Sequence, residues 1–259
     1  MGQPVQQIPP IRRMKACLNG RRGHDDHPAV PLTPAELAAA AAGAVAAGAE
    51  AIHVHPRDPA GRESLLAADV GTAVAAIRQA CGGTPVGVTT GLWVTGGDPA
   101  ARQAAVAGWV ALPGDGRPDF ASVNLGEAGA ADLPGLLAAA GIAPEAGVWS
   151  PADADRLAAA GPGAGWLWLM VEISGVPAAG AAAAADAVLR RLDELGVTLP
   201  RLLHGADESC WPLIRHAGAL GLPARAGLED TLAGPDGAPV SGNAELMELA
   251  LAAWTAAAP

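Results

Sequence analysis

Two histidines one residue apart in an apolar run, His53 and His55 of Ala51-Ile52-His53-Val54-His55, have the types and spacing of a metal-binding pair. At i and i+2 of one strand they share a face about 7 Å apart along it, so both can reach one ion. Two imidazoles are costly to bury unless each ring nitrogen has a partner, and an ion backed by further acceptors supplies partners for all four. A pair of hydrogen-bonded core histidines is the competing reading. A catalytic zinc site keeps three protein ligands and an open position, so a carboxylate should complete the set. Glu229, in Ala226-Gly227-Leu228-Glu229-Asp230, is the candidate, although alone it reads equally as a cap or salt-bridge residue. Arg225 lies four residues before Glu229 and five before Asp230. A guanidinium beside Asp230 would hold that carboxylate ionised and aim it as a general base, and a purely structural ion pair has the same spacing.

Other polar residues fall at the ends of β-like runs. Thr89 and Thr90, followed by Gly91, could present hydroxyls and a tight turn to a carboxylate, or merely close a loop. Asn124 suits a carbonyl or carboxylate, or its own turn; Asn19, Glu172 and His204 face the same end of the pattern. His24, Asp25, Asp26 and His27 occupy a glycine-flanked polar segment that reads as solvated loop rather than a second metal site, and His216 falls within a helix, where a structural role is expected. No GxGxxG or GxxxxGK[ST] stands in a strand-to-helix context, and no GxSxG elbow occurs, which argues against dinucleotide, P-loop and serine-hydrolase chemistry.

Positioning these groups requires a scaffold that brings strand ends together. Short β-like runs alternate with Ala-rich helical stretches along the whole chain, the pattern of a parallel sheet wrapped by helices. Strands are expected at 14–18, 51–55, 85–89, 120–124, 146–149, 166–172, 201–204 and 224–227. Helices are expected from Thr33-Pro34-Ala35-Glu36, where Thr33 and Glu36 form a capping box, and then from Asp98 and Asp132 and over 151–160, 178–195, 211–220 and 244–254. About eight such units predict a (β/α)8 TIM barrel, whose active site lies at the C-terminal ends of the strands. No linker divides the 259 residues, so one domain is expected, preceded by a disordered tail at about 1–10.

Composition excludes several function classes. With 51% hydrophobic and 16% charged residues the chain is not a disordered one, and no apolar run reaches the roughly 20 residues of a membrane span. A formal net charge of −10 argues against a nucleic-acid partner. The polar, Pro-rich start has no secretory pattern, and Cys17, Cys81 and Cys210 offer no disulfide framework, so a cytoplasmic protein with reduced, buried thiols is expected.

The succession Leu32-Thr33-Pro34-Ala35-Glu36, His53-Val54-His55-Pro56-Arg57-Asp58, Thr89-Thr90-Gly91, Ser122-Val123-Asn124 and Arg225-Ala226-Gly227-Leu228-Glu229-Asp230 resembles the β-keto acid cleavage enzyme family over about residues 14 to 254. The resemblance implies a zinc-dependent barrel that condenses a β-keto acid with acetyl-CoA and splits the product into acetoacetate and a new acyl-CoA. It places the zinc ligands on His53, His55 and Glu229, the base and its arginine on Asp230 and Arg225, and substrate contacts on Thr89, Ser122 and Asn124. A homo-oligomer is the expected assembly. Where amino-substrate members carry Thr-Gly-Ala-Glu, this chain has Asn19-Gly20-Arg21-Arg22, so Arg21 and Arg22 predict an anionic or polar substrate tail; arginines pointing to solvent or to the phosphates of CoA are the alternative. An amidohydrolase-like hydrolase, which also carries HxH in a barrel, and a non-catalytic metal-binding barrel are the rival functions.

Overall fold

The computed structural model describes residues 8–161 and 165–259. Of the expected tail, residues 1–7 lie outside the described residues, while Ile8 packs against buried side chains at the N-terminal end of the barrel. Eight parallel strands close in sequence order: β1 Met14–Cys17, β2 Ala51–Val54, β3 Val86–Val88, β4 Phe120–Asn124, β5 Ala143–Val148, β6 Trp168–Ile173, β7 Arg201–Gly205 and β8 Ala224–Ala226. Helices α1 Pro34–Ala46, α2 Ala67–Ala80, α3 Pro99–Ala107, α4 Leu133–Ala139, α5 Pro151–Ala160, α6 Ala178–Glu194, α7 Cys210–Leu220 and α8 Asn243–Ala257 follow the strands in turn. This is the (β/α)8 barrel. None of the described helices is long and apolar enough to cross a membrane.

Local sequence explains most of these elements. Thr33 caps α1 with the reciprocal Glu36 contact in place. Helix α2 lies outside the helices expected from the sequence: its N-cap, Leu66, offers no side-chain capping hydrogen bond, so its start carries no local signal. Strand β5 begins at Ala143 rather than at Ala146, because Pro144 and Glu145 do not look like strand residues. Glu145 is accommodated inside the barrel, where its Oε1 lies 2.5 Å from Lys15 Nζ with both side chains fully buried. The Trp168 indole N–H donates to the same carboxylate, and the Lys15 ammonium sits 5.6 Å from the centre of the Phe120 ring.

Alternation along each strand sends one set of side chains out to the helices and the other into the lumen. Met14, Ile52, Val86, Val88, Ala121, Val123 and Leu203 belong to the large core between strands and helices. The inward set changes from Ala51, Phe120, Met170 and Leu202, in the layer below, to His53, Ser122, Glu172 and His204 two residues further along β2, β4, β6 and β7. Strands β2, β4, β6 and β7 therefore present polar residues at the same end of the barrel.

Candidate metal centre and active site

Strand β1 pairs with β2 on one side and β8 on the other, with Cys17 opposite His53 and Lys15 opposite Arg225. That adjacency carries the turn after β8 to the histidines of β2. His53 Nε2 lies 4.0 Å from Glu229 Oε2, and His55 Nε2 lies 3.6 Å from Glu229 Oε1. One ligand atom from each of the three residues can be chosen so that all lie within 4.8 Å of one another. These separations exceed hydrogen-bond length and suit atoms sharing an ion, since two ligands about 2.0–2.2 Å from a tetrahedral centre stand roughly 3.3–3.6 Å apart. Glu229 Oε2 and His53 Nδ1 are buried and have no hydrogen-bond partner among the described residues. Two imidazoles and a buried carboxylate with an unpartnered oxygen 4.0 Å from His53 Nε2 form a donor set that fits a divalent metal.

Within the cluster, His55 is held from behind and Glu229 is given room. The Asn19 side chain clips β1 to β2 by accepting from His55 N at 2.9 Å and donating to His55 O at 2.9 Å. His55 Nδ1 lies 2.6 Å from Glu63 Oε1, and the Trp93 indole N–H is shared between the two Glu63 oxygens at 3.1 and 3.0 Å. Gly20, at φ +54°, lets the chain after β1 pass over Glu229, because a Cβ there would lie 2.4 Å from Glu229 Cγ.

Beside the cluster, Arg225 Nη2 donates to Asp230 Oδ1 at 2.6 Å and to Glu229 Oε1 at 2.8 Å, and its Nε donates to Asp230 Oδ1 at 3.1 Å. Asp230 is fully buried and its Oδ2 has no partner among the described residues. His204 Nε2 lies 3.2 Å from Glu172 Oε2, and its Nδ1 is 3.7 Å from Asp230 Oδ1.

The electrostatics follow from burial and these pairings. Burial opposes charge on Glu229, yet Arg225, His55 and His53 hold it well below the usual carboxylate range. Burial raises Asp230, and Arg225 and His204 offset this only in part. Burial likewise holds His53 well below the usual imidazole value. At His55 burial is outweighed by Glu229 and then Glu63, and the imidazole is pushed up to about 9. Glu172 stays low despite burial because His204 faces it.

All of these groups except His204 and Glu63 border one cavity of about 550 Å³ at the barrel mouth. Thr89, Ser122, Asn124, Arg21 and Arg22 border it too. Thr90 is turned away and donates to Ser122 O at 2.5 Å, and Asn19 serves the backbone as described. His24, Asp25 and Asp26 are exposed and contribute to no metal-type cluster among the described residues, and His216 Nε2 meets Asp186 Oδ1 at 2.7 Å on the surface.

Glu63, Trp93, Glu127 and Arg102 also serve the site, although little in their sequence pattern marks them for it. Arg102 of α3 is fully buried and binds Glu127, whose Oε1 accepts from Asn124 Nδ2 at 2.8 Å and whose Oε2 accepts from Leu92 N at 3.0 Å. One carboxylate thus fixes Asn124 and the turn carrying Trp93. A charged residue in an Ala-rich helix gives no hint that it points inward; only the proximity of Glu127 to Asn124, three residues away, could have drawn notice.

Residues 14–258 match the family model of beta-keto acid cleavage enzymes. No curated protein sequence is significantly similar to the chain. Among solved structures, the ternary complex of ObcA with a C4-CoA adduct and oxalate is similar at TM-score 0.69 and 18% identity, over 86% of this chain and 63% of that one. The binary complex of ObcA with oxaloacetate gives 0.66 at 18% identity over the same shares of the two chains, 86% and 63%. The carboxyl transferase domain of Rhizobium etli pyruvate carboxylase with pyruvate and biocytin gives 0.60 at 15% identity, over 94% of this chain and 46% of that one. At such identities these likenesses establish a common barrel, and the chain spans about 63% of the ObcA length.

Proposed function

Because the chain belongs to the beta-keto acid cleavage enzyme family, we propose that it condenses a β-keto acid with acetyl-CoA and splits the product into acetoacetate and a new acyl-CoA, using a divalent ion, zinc in the first instance, held by His53, His55 and Glu229. The observation that carries this reading is the position of the Arg225–Asp230 pair directly beside the His53, His55 and Glu229 cluster in one cavity. The ion, when bound, supplies a Lewis acid for the keto oxygen.

The rest falls to the chain's own groups. Asp230 takes the C2 proton on Oδ2, the oxygen that Arg225 leaves free. Arg225 holds the carboxylate in place, and His204 supports the far side of the base while fixing Glu172. Thr89, Ser122 and Asn124 line the opposite wall and orient the substrate carboxylate, with Asn124 set by Glu127. The C2 carbanion attacks the acetyl-CoA carbonyl and CoA departs as thiolate. That thiolate adds to the original keto carbon, the C2–C3 bond breaks, and the acetoacetate carbanion recovers its proton from Asp230. Carbon and charge balance, with no outside oxidant or reductant. The ObcA complexes, which hold a CoA adduct, oxalate and oxaloacetate, support the pairing of a keto acid with CoA on such a scaffold.

An amidohydrolase-like site would want further histidines at the ion, and only two stand in the cluster among the described residues. A non-catalytic metal barrel has no use for a buried base beside its ligands. The deciding experiment combines metal analysis of the wild-type, His53→Ala and Glu229→Ala proteins with acetoacetate formation from a β-keto acid panel and acetyl-CoA. Undiminished stoichiometric metal in both variants removes the ligand assignment, and metal without acetoacetate removes the reaction.

A further inference from the structure

The two arginines after β1 border the same cavity but differ in standing. Arg22 Nη2 lies 2.7 Å from Asp207 Oδ1, and its Nε donates to Glu229 O at 3.3 Å, so the protein itself answers that charge. Arg21 has no carboxylate at ion-pair distance among the described residues, and its guanidinium carbon stands 5.4 Å from the centre of a Trp93 ring. Trp93 is firmly placed. Its N–H is held by Glu63, it stacks on His55 with centroids 6.0 Å apart and planes 24° from parallel, and Gly91 makes room for it, since a Cβ at 91 would lie 2.3 Å from the ring. A metal-ligating imidazole, an indole and a guanidinium therefore line one wall of the cavity in succession. The cation and the candidate metal ligands thus border the same cavity.

We propose that Arg21 reads the far end of the acyl substrate, so that the class this site takes is β-keto dicarboxylic acids, the distal carboxylate pairing with the guanidinium that Trp93 holds. The inference rests on the β-keto acid reading above and narrows it to a substrate class. A guanidinium over an indole face keeps its N–H edge available, and that edge matches a carboxylate in two parallel hydrogen bonds. Arg22 is not the reader, because Asp207 already occupies its edge.

The test compares wild-type, Arg21→Ala and Arg21→Lys enzymes, zinc-loaded and saturated with acetyl-CoA, on a β-keto dicarboxylate and a neutral β-keto acid of equal chain length. Wild type should prefer the dicarboxylate. In Arg21→Ala the loss of kcat/KM on the dicarboxylate should exceed that on the neutral acid by about 30-fold, chiefly through KM, as expected for removing one partner of a charge pair. Arg21→Lys should recover part of it. Equal losses on both acids, or a raised KM for acetyl-CoA alone, which would show the cation meeting a CoA phosphate, overturn the proposal. Turnover of neither acid by wild type would instead remove the reaction assigned above. Calorimetric binding of glutarate and valerate then decides Arg21 by itself: selective weakening of glutarate by Arg21→Ala upholds the reading, and equal affinities overturn it.

Discussion

Glu63 Oε1 lies 2.6 Å from His55 Nδ1, on the side of the ring away from Glu229, and so fixes both the plane of this imidazole and the nitrogen it offers to the cluster. Carboxylates behind metal-bound histidines raise ligand basicity and hold orientation, and their loss typically weakens metal affinity 10- to 100-fold. Glu63→Ala should therefore bind zinc about 10- to 100-fold more weakly than wild type in a chelator competition, with Glu63→Gln between the two. Unchanged affinity in Glu63→Ala would show that the contact is only structural.

His55 gives metal binding a pH dependence. Its imidazole, pushed up to about 9, carries a proton at neutral pH that must leave before the nitrogen can ligate. Metal uptake should release that proton, and affinity should fall about tenfold for each pH unit below about 9. Without metal the sign for stability is opposite. A folded value above the unfolded 6.5 means that the native state binds this proton more tightly, so the contribution is complete below about 6.5 and lost as pH rises through about 9. Calorimetric titration of zinc in two buffers of different ionisation enthalpy measures the proton released; a buffer-independent heat would contradict it.

Asp230→Asn preserves shape and removes the carboxylate proposed above to accept the C2 proton. Exchange of the C2 hydrogens of a bound β-keto acid should slow by about 10²-fold or more, with metal content unchanged. Near-normal exchange, followed by NMR in deuterium oxide, would assign the base elsewhere.

The Lys15–Glu145 pair beneath the site concerns stability. Lys15→Met leaves the fully buried Glu145 without its cation and should lower unfolding free energy by about 3–5 kcal/mol in urea titrations. Lys15→Met combined with Glu145→Leu should regain most of that loss, since replacing both partners removes the uncompensated charge. A double variant no more stable than Lys15→Met alone would indicate that packing around Trp168 and Phe120, rather than the charge, dominates.

The sequence by itself determined the barrel, because alternating strand and helix patterns and a capped α1 are local properties that survive any arrangement of the rest. It also determined the metal candidates, since two histidines at i and i+2 must share a face, and the sequential order of a closed barrel then puts the turn after β8 within one strand of them. What only the tertiary structure decided are contacts between residues far apart in the chain that carry no periodic mark. Arg102 points inward because Glu127 waits there, Lys15 is tolerated in the lumen because Glu145 crosses to it, and Trp93 reaches His55 because Gly91 leaves space. The two adjacent arginines are alike in sequence, and the fold makes them different: Asp207, brought over from beyond β7, neutralises Arg22 and leaves Arg21 on Trp93 facing the cavity. A side chain's charge is written in the sequence, but whether that charge is already answered depends on which partner the folded chain brings within about 4 Å, where the Coulomb energy becomes large enough to matter.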